Sequence, residues 1–136
     1  MRRAFFLFPF GNNPRLRARD HVDGERDGRM ELREIQQQVD AYIGQFKEGY
    51  FPPLVNLARL TEEVGELARE INHAYGPKTK KHDEPEGDIA LELGDILFVV
   101  VVLANQLGID LSDAAARTLS KYQVRDADRW ERKDRE

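Results

Sequence analysis

The side chains of this sequence best suited to chemistry are carboxylates, and they recur at one spacing. Thr61-Glu62-Glu63-Val64-Gly65-Glu66 holds acids three residues apart, and Glu92-Leu93-Gly94-Asp95 holds a second such pair. On a helix this spacing puts both members of a pair on one face, roughly 5–6 Å apart at Cβ. Two pairs brought together would repel one another and resist dehydration unless a cation neutralised them. Oxygen-only ligands suit Mg2+ or Mn2+, whereas zinc prefers His or Cys. One Glu-x-x-Glu pair is common on solvated helices. Two matched pairs, each containing a glycine, are more specific. Gly65 and Gly94 each cost about 1 kcal/mol of helix propensity relative to Ala, so a backbone or ligand is expected to approach closely there.

Other chemistries find little support. The chain has no cysteine, which removes disulfides, zinc–thiolate sites and thiol nucleophiles and fits a reducing cytoplasm. His21, His73 and His82 are scattered over the chain and do not form a ligand set; His73 reads as a partly exposed structural histidine. No Ser–His pairing suggests a covalent nucleophile.

The elements that must position the acids are helices. Leu32, Ile35, Val39, Tyr42, Ile43 and Phe46 recur at threes and fours, giving a first helix that Gly49 and Pro52-Pro53 terminate. A second helix is expected over residues 53–75, with Leu57, Leu60, Val64, Leu67, Ala68 and Ile71 as its buried stripe and Gly76-Pro77 as its stop. Residues 76–87 read as an exposed loop. The third helix spans roughly 88–107: its Val99–Val102 run resembles a strand, but about 20 unbroken residues exceed normal strand length. Being apolar on nearly every side, this helix needs neighbours all round, which implies a homo-oligomer built through the helices. A fourth helix begins near Ser112, with Asp113 in its first turn, and runs to about Val124. The expected fold is an all-α four-helix bundle.

Charge is unevenly distributed. Residues 1–29 carry seven Arg against four acids and read as a flexible extension, with Met30 as an alternative start; residues 30–130 form the helical domain and 131–136 a charged tail. Ala4–Phe10 contains Pro9 and lacks a small-residue cleavage site, so it does not read as a signal peptide. The nine-residue run Ile96–Ala104 is too short to span a bilayer. From residue 30 onward acids outnumber basic residues, 21 to 14, which argues against a nucleic-acid polymer as partner. Phosphates remain accessible to an acidic protein if divalent metal supplies the positive charge.

Glu62-Glu63-x-x-Glu66, followed after 25 residues by Glu92-x-x-Asp95, resembles the EExxE…ExxD signature of the MazG-type all-α nucleoside triphosphate pyrophosphohydrolases. The likeness covers about residues 31–130. It includes the Tyr42-Ile43-Gly44-Gln45-Phe46-Lys47-Glu48-Gly49-Tyr50-Phe51 run and Arg125-Asp126-x-Asp128-Arg129-Trp130, where the chain is similar to compact single-domain members. The resemblance implies cleavage between the α- and β-phosphates, giving a nucleoside monophosphate and pyrophosphate. It further implies Glu63, Glu66, Glu92 and Asp95 as Mg2+ ligands, with Glu62 near the attacking water. Lys121, with Arg125 one turn away, would bind phosphate, and Lys47 is a weaker candidate. Compact members imply a homodimer or homotetramer. Phe46, Tyr50, Phe51 and Trp130 are candidates for stacking on a base. Two alternatives are a related hydrolase acting on another phosphorylated nucleotide and a helical interaction module whose acidic surface is not catalytic.

Overall fold

The computed structural model describes residues 31–131; the extension expected over residues 1–29 and residues 132–136 of the tail lie outside them. Four helices follow in order: α1 Leu32–Ile43, α2 Pro53–Tyr75, α3 Ile89–Gln106 and α4 Leu111–Arg125, with no strand among the described residues. The all-α expectation holds.

The helix ends follow local chemistry. α1 stops at Ile43, short of Phe46, because the chain tightens into three-residue turns: Gln45 N–H donates to Tyr42 O, Phe46 N–H to Ile43 O and Gly49 N–H to Phe46 O. Gly49 then takes a positive φ of 60°, where a Cβ would be strained. Pro53 opens α2, where a missing N–H costs nothing. Asp88 caps α3 by accepting from the Ala90 and Leu91 N–H groups at 2.9 and 3.2 Å, and Gly108 ends it at φ 67°. Asp110, rather than a residue near Ser112, caps α4, accepting from Ser112 N–H at 2.8 Å and Asp113 N–H at 3.2 Å.

α2 and α3 form an antiparallel hairpin, and this pair packs most extensively. The direction is visible in their partners: Asn56 donates to Gln106 Oε1 at one end, and Glu70 lies against Gly87 at the other. α1 crosses α3, burying Val39 against Val101 and Val102, with Ile35, Ile43, Tyr50, Phe98 and Leu111 around them. α4 joins through its first turn only. Leu111 reaches this core, whereas residues 116–125 are all solvent-exposed, Val124 at 80%.

The buried face of α2 differs from the one read in the sequence. Leu57, Val64 and Ile71 are exposed, at 51, 49 and 40%. Facing α3 instead are Asn56, Leu60, Glu63, Leu67 and Glu70, at alternating four- and three-residue steps. The helix carries two stripes, and the more apolar one points away from its own chain. α3 is long and apolar enough to cross a membrane by composition alone, which the nine-residue count missed. Yet it carries Glu92 and Asp95 and is packed along α2.

Candidate metal centre

The inward turn of α2 puts Glu63 in the seam with α3, opposite Glu92 and Asp95. One oxygen from each of these three carboxylates lies within 4.8 Å of the others, and all three side chains are half-buried. Glu92 Oε2 is buried without a hydrogen-bond partner. Burial first, then the neighbouring charges of Glu66, Asp95, Glu63 and Glu70, push the Glu92 carboxyl above the usual Glu range. Among the described residues, the charges that act on it most strongly are all negative. A hard divalent cation fits this arrangement: convergent oxygens, an orphaned buried acceptor and an uncompensated negative field.

The other expected site residues are placed less centrally. Glu66 is exposed and outside the close trio, although its charge acts on Glu92 more strongly than that of any other acid. Glu62 is exposed on the flank of α2. Lys121 and Arg125 sit on the outer half of α4, each over the Tyr122 ring at 5.0 and 4.5 Å, and Arg125 also holds Asp126 through two bonds of 2.8 Å. Within one chain they are not brought to the acids. Lys47 is likewise exposed.

Gly65 and Gly94 also differ from expectation. A Cβ at either position would meet nothing within 4 Å, so no close backbone approach among the described residues explains them. Both leave open space beside the acids.

Further along the same seam, Tyr42, Phe46, Tyr50, Phe51 and Phe98 line a cavity of about 360 Å³, with Asn56 and Arg59 at its α2 wall. Tyr42 stacks edge-on against Phe46 and Phe98, with centroids 5.3 and 6.2 Å apart. Three of the four aromatic candidates, Phe46, Tyr50 and Phe51, meet here. Trp130 does not: it is exposed beneath the Arg129 guanidinium. Asn56, 1% exposed, donates to Phe51 O at 3.0 Å, and Gln106 Nε2 donates to the same carbonyl at 2.6 Å.

Beyond Glu66 lie one residue that sequence reasoning passed over, Glu70, and one that it read differently, His73. Glu70 is buried and paired with Lys80 at 3.1 Å and Arg69 at 3.3 Å. Their hydrogen bonds, Lys80 foremost, hold its carboxyl below the usual range. Its spacing from Glu63 and Glu66, seven and four residues, was the available signal. The His73 side chain is buried rather than partly exposed, with neither ring nitrogen hydrogen-bonded and Glu84 Oε2 3.9 Å from Nε2.

Comparisons with known proteins bear on the family. Residues 51–130 match the MazG nucleotide pyrophosphohydrolase domain. The uncharacterized protein YpjD of Bacillus subtilis (strain 168) is 57% identical over 103 residues, which cover 76% of this chain and 93% of YpjD. The Gene 37 protein of Mycobacterium phage L5 is 37% identical over 67 residues, covering 48% of this chain and 59% of that protein. The crystal structure of Bacillus subtilis YpjD superposes with a TM-score of 0.63 at 55% identity, covering 69% of this chain and 96% of that one. A Bacillus-conserved MazG protein, a nucleotide pyrophosphohydrolase, superposes with a TM-score of 0.60 at 50% identity, covering 70% and 91%. Signature, helical hairpin and relatives point one way: the chain belongs to the MazG nucleotide pyrophosphohydrolase family.

Proposed function

We propose that this hydrolase cleaves nucleoside triphosphates between the α- and β-phosphates in a Mg2+-dependent reaction, with Mn2+ as a substitute, releasing a nucleoside monophosphate and pyrophosphate. The observation that carries this reading is the close approach of Glu63, Glu92 and Asp95, with one Glu92 oxygen buried and unbonded. Glu63, Glu92 and Asp95 would hold the metal, with Glu66 completing the set from the rim. A divalent ion there supplies positive charge to the phosphate oxygens and lowers the pKa of a water. Glu62, beside Glu63 and open to solvent, would orient that water or accept its proton. The aromatic cavity would take the base, stacking it on Phe46, Tyr50 or Phe51.

A homodimer or homotetramer fits the uncovered surfaces. The outward stripe of Leu57, Val64 and Ile71 and the bare outer half of α4 would be covered by a second copy. In such an assembly Lys121 and Arg125 would reach phosphates from a neighbouring chain, countering the acidic field that the described residues of one protomer leave unbalanced. The cytoplasm, which holds nucleotides and Mg2+, is the proposed compartment.

The test is product analysis. Incubation with a panel of nucleoside triphosphates and Mg2+ is expected to yield monophosphate and pyrophosphate in equal amounts. Diphosphate plus inorganic phosphate would overturn the cleavage site, and no product from any triphosphate would overturn the substrate class.

A further inference from the structure

Between α2 and α3 the chain must cross from residue 76 to residue 88, and a single carboxylate gathers this crossing. Glu70 projects from the seam face of α2, one turn beyond Glu66, and is 6% exposed. Its Oε2 pairs with Lys80 Nζ at 3.1 Å, while Oε1 accepts from Arg69 Nε at 3.3 Å. Lys80 Nζ also donates to Pro85 O at 2.9 Å, tying the outgoing limb of the loop to the returning one. The backbone at Gly87 lies so close that a Cβ there would overlap the Glu70 carboxylate. The next residue, Asp88, caps α3, and Glu92 N–H donates to Asp88 O at 3.0 Å. Both Glu70 oxygens are therefore occupied by cations, and its carboxylate faces the loop rather than the open trio.

We propose that Glu70 is a positioning residue: through Lys80 and the Gly87 backbone it holds the 76–88 loop on α2 and so sets where α3 presents Glu92 and Asp95 to Glu63. The proposal rests on the metal-site reading for its consequence, but its physical content is the fixed start of α3. A buried ion pair is a poor source of net stability, because desolvation offsets most of the attraction. It is a good source of register, since each partner is satisfied in one arrangement. Few apolar residues are buried anywhere in the described chain, so packing alone leaves this end of the hairpin weakly fixed.

The experiment compares Glu70→Gln, Lys80→Met and the double variant with the unmodified full-length protein. In a Mg2+ titration followed by melting temperature, each single variant is expected to raise the midpoint about tenfold, the usual effect of losing a group that orients metal ligands. The double variant should add little more, because both changes break one connection. Lys80→Met is the discriminating arm. Were Glu70 a ligand, or the loop idle, removing a competing cation would leave Mg2+ binding unchanged or tighten it, and either result overturns the proposal. Amide exchange of the metal-free proteins gives an independent measure. Both variants are expected to speed exchange from Glu92 to Phe98 and to leave α1 unchanged. If the unmodified protein shows no Mg2+ response, the metal reading falls and exchange alone decides the positioning role; unaltered exchange overturns it.

Discussion

Two carboxylates toward opposite ends of α3 show what separates a structural corner of this protein from its candidate site. Asp110 receives the Ser112 and Asp113 N–H groups and pairs with Arg33 at 2.8 Å. The Arg33 hydrogen bond chiefly holds its carboxyl below the usual Asp range. Around it, Gln36 donates to Asn105 Oδ1 and Ile109 O and accepts from Leu111 N–H, all at 2.9 Å. Glu92 has the same functional group in the opposite setting: half-buried, among acids, with one oxygen unbonded and its carboxyl pushed upward. One corner is internally satisfied and locks α1, α3 and α4 together. The other lacks a counter-charge among the described residues, and that deficiency is what a ligand can exploit.

Removing members of the deficient site should have the largest effect on turnover. Asp95→Ala, Glu63→Ala and Glu66→Ala are each expected to lower Mg2+-dependent pyrophosphate release by about 100-fold or more, with the far-UV dichroism of the fold retained. Full activity in all three would erase the contrast. Glu92→Gln sharpens it further. Without metal, that variant should melt at a higher temperature than the parent, because a buried repelling charge is gone, while losing its stabilisation by Mg2+.

The two corners should also titrate in opposite directions. The raised carboxyl of Glu92 takes up its proton in the folded state before it would in the unfolded chain. The metal-free protein should therefore gain stability from this group as pH falls from neutral toward the ordinary Glu range. Asp110 behaves conversely: its contribution is present above the ordinary Asp range and is lost as pH falls through its depressed value. Melting temperature against pH should rise and then fall on acidification, and Glu92→Gln should remove the rise. Saturating Mg2+ should reverse the neutral-to-mildly-acidic limb, since protons then compete with the ion.

Smaller effects follow from the structural corner and the open glycines. Asp110→Ala should lower the melting temperature by a few degrees and leave turnover per folded molecule unchanged. Gly65→Ala, with open space at its Cβ, should stabilise the helix by up to about 1 kcal/mol. Reduced activity in that variant, measured at saturating Mg2+, would identify the space as one that substrate or a second copy enters.

How much of this was legible depends on whether the cause was local. The i, i+3 spacing of Glu92 and Asp95 put them on one face from sequence alone, and Gly108 and Pro53 marked ends that the structure keeps. The stripe on α2 misled because hydrophobic periodicity reports that a face is covered, not by what. Leu57, Val64 and Ile71 look like core residues, yet they leave Glu63 and Glu70 to face α3. Glu70 was passed over because its partner Lys80 lies in a loop whose path depends on tertiary structure. For the same reason, the chain's own spacing could not tell that Lys121 and Arg125 stand apart from the acids of their protomer.

α3 is also a ruler. Near its beginning it carries Glu92 and Asp95, and at its end Gln106, which with Asn56 suspends the Phe51 carbonyl and so fixes one wall of the aromatic cavity. Fourteen residues of rigid rod, about 21 Å, join the acidic group to the cavity wall. A tilt that widens the aromatic cavity swings the acids as well, so on the proposed reading, in which that cavity takes the base, reshaping the 44–52 turn to alter nucleobase choice calls for keeping Asn56 and Gln106 as a fixed hinge pin.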